Sequence, residues 1–139
     1  MKTLTVKQPW SHLIARGIKR VENRSWATNY RGPLLIHAAK SRDELTEDDI
    51  DFIDGLGLGL KWNVAKLTYG AIVAVVNVVE CYSVDDLPDD LANDPFVRGP
   101  FVWLLADAKP VKPIPAKGKL GLWEYSGAIS LGRAALKTK

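Results

Sequence analysis

The feature that most constrains this chain is residues 69–84, YGAIVAVVNVVECYSV, its longest strand signal, rich in β-branched residues and opened by Gly70. Residues 33–39, PLLIHAA, form a second continuous apolar run with one histidine inside it, the mark of a strand buried on both sides. FVWLLADA at 101–108 is the next strand, after an acidic turn or short helix in DDLPDDLANDP. The chain is thereby committed to a sheet before any helix is considered.

The elements around these runs are short. LTVKQ alternates apolar and polar residues and predicts a first strand with Leu4 and Val6 on one face. Pro9 suits a first helical position, Trp10, Leu13 and Ile14 make one apolar stripe, and Gly17 is a left-handed cap. That leaves a two-turn helix, which needs packing to persist. In RVENRSW an extended backbone puts Arg20, Glu22, Arg24 and Trp26 on one face and Val21 and Asn23 on the other. Lys19 lies in the connection and is free to swing toward Glu22.

ATNYRG reads as a loop, and SRDELTEDDIDFIDG as an acidic helix capped by Ser41 or Thr46 and ending at Gly55. GLGLGLKWN lacks the third glycine and the preceding strand of a dinucleotide-binding loop. It is expected to be a mobile loop that covers the core through Leu58, Leu60 and Trp62. KPVKPIPAKGKLGLWEY predicts a stiff, proline-punctuated loop followed by a last strand around LGLWEY. Residues 126–139 are expected to form a loosely docked tail, with Leu131, Ala135 and Leu136 in a short amphipathic turn.

This order gives an α+β fold: five or six strands in a small closed sheet, with two or three short helices mostly inserted between them. At 139 residues and 47% hydrophobic content, one domain is expected, over residues 1–125, followed by the tail. No apolar run reaches the roughly 20 residues of a membrane helix, and MKTLTVKQPW has no apolar stretch behind its lysine. A soluble, unprocessed, cytoplasmic protein is expected. Cys81 is the sole cysteine, which excludes an intrachain disulfide, and its setting predicts a buried structural thiol.

The net charge of +3 conceals a segregation. Residues 1–40 carry eight Lys/Arg against one acid, residues 41–108 four against fourteen, and residues 109–139 seven against one. If both basic ends share a face, that face attracts phosphates while the middle repels them. Cations alternate with aromatics at Trp10, Lys19, Arg24, Trp26, Tyr30 and Arg31, then at Lys117, Lys119 and Trp123, a pattern suited to positioning phosphates and stacking bases. Trp10, Trp103 and Trp123 sit in apolar patterns that favour the core, and Trp26 is open to either role. His37 is either a satisfied core histidine or, with Lys40 at the strand end, part of a site.

His12, His37 and Cys81 do not have the spacing of a metal site, and the acids of 43–54 lack an EF-hand pattern, so neither metal nor cofactor is expected. No G-x-S-x-G elbow is present. The remaining chemistry is a lysine beside a carboxylate, Lys19 and Glu22, able in principle to act as base or nucleophile.

QPWSHLIARGIKRVENRSW, YRGPLLIHAAK and GPFVWLLADAKPVKPIPAKGKLGLWEY together closely resemble the ASCH (ASC-1 homology) domain of the PUA-like superfamily. Gly17, Lys19, Glu22 and Arg24 match its G-x-K-x-x-E-x-R motif, and the resemblance spans residues 3–125. It implies a PUA-like β-barrel with helices at the rim and an RNA-binding cleft beside the first helix. Lys19, Glu22 and Arg24 would line that cleft, with Gln8, Trp10 and His37 nearby. The expected ligand is single-stranded RNA or a modified nucleotide, its phosphates on Lys19, Arg24, Arg31 and Lys40, with Trp26, Lys117 and Lys119 also in the interface.

The alternative is a hydrolase using Lys19 and Glu22, either a ribonuclease or an amidohydrolase on an acylated nucleoside. One amidohydrolase branch of the family uses a lysine matched by Lys19, but its threonine three residues later is replaced here by Glu22. A protein partner could also dock on the acidic segment 43–54.

Overall fold

The structure, a computed structural model, describes residues 1–42, 45–57, 66–131 and 134–136. Strands β1 (Lys2–Val6), β2 (Val21–Arg24), β3 (Gly32–Ala38), β4 (Ala71–Ser83), β5 (Phe101–Pro115) and β6 (Leu122–Glu124) form one sheet in the order β2-β5-β4-β3-β1-β6. β1 and β3 run parallel, and the other pairs are antiparallel. The α+β expectation holds, with six strands in this sheet and, among the described residues, three short α-helices: α1 (Trp10–Ala15), α2 (Glu47–Gly55) and α3 (Asp89–Ala92). β2 and β6 do not pair with each other among the described residues, so the barrel-like sheet stays open where closure was expected. No helix is long and apolar enough to cross a membrane among the described residues.

The long β-branched run behaves as its composition requires. Residues 71–76 of β4 are all buried, because the strand lies between β3 and β5 and is covered on both faces. Its pairing with β5 shifts register at three places, each bending the ladder. β5 continues through Pro110, Pro113 and Pro115, which corrects the expectation of a loop there. β2 pairs only with residues 101–104 of β5, so the proline segment has one open side where a missing N–H breaks no ladder bond.

α1 packs across β3, β4 and β5 and buries Ser11, Leu13, Ile14 and Ala15. Gly17 takes φ of +72°, and the N–H groups of Gly17 and Ile18 donate to the carbonyls of Ile14 and Leu13. This left-handed cap reverses the chain within two residues and sends Lys19 back toward the domain. α2 is capped by Thr46: its hydroxyl accepts from Asp49 N–H, and the Asp49 carboxylate accepts from Thr46 N–H.

One face of the sheet packs with α1 around Leu4, Ile14, Ile36, Val76 and Trp103. The other gathers Leu35, Ile72, Val75, Val111 and Ile129. Ile129 belongs to the segment expected to be a loose tail, yet it is only 1% exposed. The amphipathic turn expected around Leu131–Leu136 is instead a hairpin of β7 (Ile129–Leu131) and β8 (Ala134–Leu136). The physical reason is that β3 and β4 are apolar on both sides, so the second face needs a cover. Cys81 is half-buried on β4 rather than fully buried. The loop expected at 55–63 lies mostly outside the described residues, with Leu58, Leu60 and Trp62 among those not described.

Candidate functional site

The turn at Gly17 and the edge strand β2 deliver three charged side chains to one place. Lys19 Nζ lies 2.8 Å from Glu22 Oε1, and Arg24 Nη2 lies 2.9 Å from Glu22 Oε2, so each carboxylate oxygen holds one cation. Lys19 also donates to the Val21 carbonyl, and Arg24 to the Thr5 carbonyl of β1 at 2.7 Å. The Lys19 and Glu22 side chains are 5% and 9% exposed, and Arg24 is 24% exposed. The group carries a net single positive charge with little water around it. Two of the three Lys19 N–H groups have protein acceptors among the described residues, leaving one for a ligand.

These side chains form one wall of a cleft of about 690 Å³. Trp10, Phe52 and Phe96 form the apolar side, with ring centroids 6.4 Å apart for Trp10 and Phe52 and 5.4 Å for Phe52 and Phe96. Arg98 places its guanidinium 4.9 Å from the Phe52 centroid, a cation–π contact at the rim. Lys119, Leu120 and Gly121 line the cleft from the β5–β6 loop, and Asp48 and Asp49 line it from the first turn of α2.

Asn23 holds the Phe96–Gly99 loop in place. Its Oδ1 accepts from the N–H groups of Arg98 and Gly99 at 2.8 and 2.9 Å, and its Nδ2 donates to the Phe96 carbonyl at 2.9 Å. No local spacing could have shown this, since the partners lie more than 70 positions away. Phe52 and Phe96 likewise come together from distant parts of the chain.

Five of the expected residues therefore converge on the cleft: Trp10, Lys19, Glu22, Arg24 and Lys119. Others do not line it. Gln8 is buried and structural: it accepts from His12 N–H and donates to the Thr68 carbonyl, which ties α1 to a distant loop. Trp26 stacks edge-on against Trp103 at 4.9 Å and belongs to the core margin. Arg31 is engaged by Glu80 and by the carbonyls of Thr28 and Tyr30. Lys40 and Lys117 are exposed but are not among the residues that line the cleft.

His37 is 1% exposed and fully satisfied. Nε2 meets the Ala116 carbonyl at 2.7 Å, Nδ1 meets Thr5 Oγ1 at 3.2 Å, and Trp123 Nε1 donates to that same hydroxyl at 3.1 Å. Of its two open readings, the core one holds. Of the acidic segment, residues 43 and 44 lie outside the described residues, Asp48 and Asp49 face the cleft, and Asp51 and Asp54 are exposed.

A small α+β domain with an open barrel and a mixed-charge cleft beside its first helix is the class that this fold and site define. The chain belongs to the ASCH domain family, whose model matches residues 4–115. It is 29% identical over 136 residues to activating signal cointegrator 1 of Homo sapiens, and to the same degree to that of Mus musculus. Those alignments cover 93% of this chain and 23% of each relative, so the chain spans about a quarter of their length. Among solved structures it is similar to the crystal structure of ASCH from Zymomonas mobilis, with TM-score 0.47, 15% identity, and coverage of 82% of this chain and 72% of that one. A point mutant of the same Zymomonas mobilis protein gives TM-score 0.46 at 15% identity, with the same coverage.

Proposed function

We propose that this protein binds single-stranded RNA or a modified nucleotide in the cleft beside α1. The observation that carries the reading is the pairing of a buried Lys19–Glu22–Arg24 group with an aromatic wall inside one cavity. A base lying against Trp10 and Phe52 would bring its polar edge to the third Lys19 N–H and to the second lone pairs of the Glu22 oxygens. Membership in a family generally associated with RNA binding supports the same reading.

In this reading the phosphates fall to other cations than Lys19 and Arg24. Lys19 and Arg24 are already neutralised in part by Glu22, whereas Arg98 and Lys119 stand exposed at the rim. Backbone phosphates would therefore follow Arg98 and Lys119. The test is a titration of labelled single-stranded RNA at several salt concentrations. Arg98→Ala and Lys119→Ala should each flatten the log affinity against log salt slope by about 0.7, and Lys19→Ala should weaken binding at every salt concentration. Unchanged affinity in all three variants would remove the cleft as the site.

The 2.8 Å contact between Lys19 and Glu22 is also the ground for a second reading, hydrolysis of RNA or of an acylated nucleoside. Both Glu22 oxygens are engaged by cations, which suits holding charge more than moving a proton. Incubation with single-stranded RNA and with acylated nucleosides, with Lys19→Ala as control, separates the two. Substrate left intact by the unmodified protein would end the hydrolase reading.

A further inference from the structure

Leu120 is 98% exposed, far beyond Ile50 at 46% and Val79 at 44%, the other large apolar side chains at the surface among the described residues. A singly exposed leucine means little by itself. Its placement is what gives it meaning.

The loop that carries it, residues 116–121, is fastened at several points. Ala116 N–H donates to the Gly70 carbonyl at 3.1 Å, and the Ala116 carbonyl accepts from buried His37. Gly118 approaches so closely that a Cβ there would lie 2.8 Å from His37 Cε1 and 3.0 Å from Thr5 Oγ1. Lys119 sets its ammonium 5.9 Å from the Trp123 ring centroid, and Gly121 turns the chain with φ of +65°. A loop pinned in this way displays Leu120 outward at the rim of the cleft, between a lysine and a glycine.

We propose that Leu120 is a contact for a second nucleotide. When one base of a single strand occupies the cleft, Leu120 packs against the face of the neighbouring base and separates it from the first. This rests on the binding reading above. Three features favour a nucleic-acid strand as the occupant. Lys117 and Lys119, both exposed, precede the leucine in the same loop and supply cations for the backbone beside it. The aromatic wall holds the adjacent base, and an apolar side chain at a base step is an established way to unstack it. The leucine lies in the lining of that same cleft, so a strand longer than one nucleotide can meet both the aromatic wall and Leu120.

The experiment uses a pentanucleotide of single-stranded RNA carrying 2-aminopurine, whose fluorescence rises on unstacking, and a nucleoside 5′-monophosphate as competitor. Leu120→Ala, which removes no buried contact, should bind the pentanucleotide about tenfold more weakly and lose the fluorescence rise, and should weaken monophosphate binding by a smaller factor. Full affinity and a full fluorescence rise in Leu120→Ala would overturn the proposal and leave the cleft reading standing. Equal weakening of both probes would also overturn it, since Leu120 would then act on the base inside the cleft and not on its neighbour. Failure of the unmodified protein to bind either probe would sink the cleft reading and this proposal with it.

Discussion

At the scale of the residue, Glu22 is the organising element. It holds Lys19 on one oxygen and Arg24 on the other, at 2.8 and 2.9 Å, with its side chain 9% exposed. Removing one member of a buried ionic group leaves the others uncompensated, so Glu22→Ala should lower the unfolding free energy by about 3 kcal/mol in a urea titration. The double variant Lys19→Met, Glu22→Leu should lose less than Glu22→Ala alone, since no buried ammonium then lacks a partner. This arrangement was largely legible in the sequence. The glycine cap sets where the helix stops, and strand parity puts Glu22 and Arg24 on one face, both of them local effects. His37 shows the opposite case: its partners are Thr5 and Ala116, 32 and 79 positions away, and nothing in LLIHAA distinguishes a satisfied histidine from an available one.

At the scale of the element, α1 and the terminal hairpin make separate demands. α1 has only six residues, and its position depends on what it buries. His12 lies on it, and burial first, then the charge of Arg16, hold its imidazole below the ordinary value of 6.5. The folded state thus favours the neutral ring. The stability this gives is present above pH 6.5 and is lost as pH falls through the lowered folded value. Thermal unfolding from pH 7.5 down to 5 should show this decline, and His12→Gln should flatten it. Glu80 and Glu124 lie on a different part of the scale. Cys81 N–H and then Arg31 hold Glu80 below its ordinary 4.5, and Lys2 and then the terminal ammonium do so for Glu124. Both contributions are present above pH 4.5 and fade only below it.

The hairpin covers a sheet face that would otherwise meet water, through Ile129 against Leu35, Ile72, Val75 and Val111. Ile129→Ala should cost about 2 kcal/mol in stability, while Leu120→Ala should leave the unfolding midpoint where it was. The sequence concealed this role because one isoleucine in SGAISLG shows neither the period of a strand nor that of a helix. Strand β5 was half concealed for a related reason. Three prolines between 109 and 115 argue against a strand in general, and only the order of the sheet reveals that this stretch has an open side.

At the scale of the whole molecule, the charge segregation read from the sequence acquires a geometry. The basic N-terminal part supplies Lys19 and Arg24, the basic C-terminal part supplies Lys119, and the acidic middle supplies Arg98 together with Asp48 and Asp49. The cleft is consequently mixed in sign. The long β-branched run and the buried PLLIHAA strand were legible because burial on both faces leaves a compositional mark. The loops that complete the site were not, since Asn23 reaches them through contacts that no local pattern encodes.

β2 has one further consequence, for how copies of the molecule behave toward each other. It is an edge strand, paired to β5 on one side only, and an unpaired edge is a template for strand addition from another copy. Arg20, 44% exposed, stands at its start, and a charge so placed opposes that docking. Replacing Arg20 with a neutral residue should therefore raise light scattering at moderate protein concentration before any loss of helix or strand signal in circular dichroism. A single arginine outside the cleft would then set how closely two copies can approach along this edge.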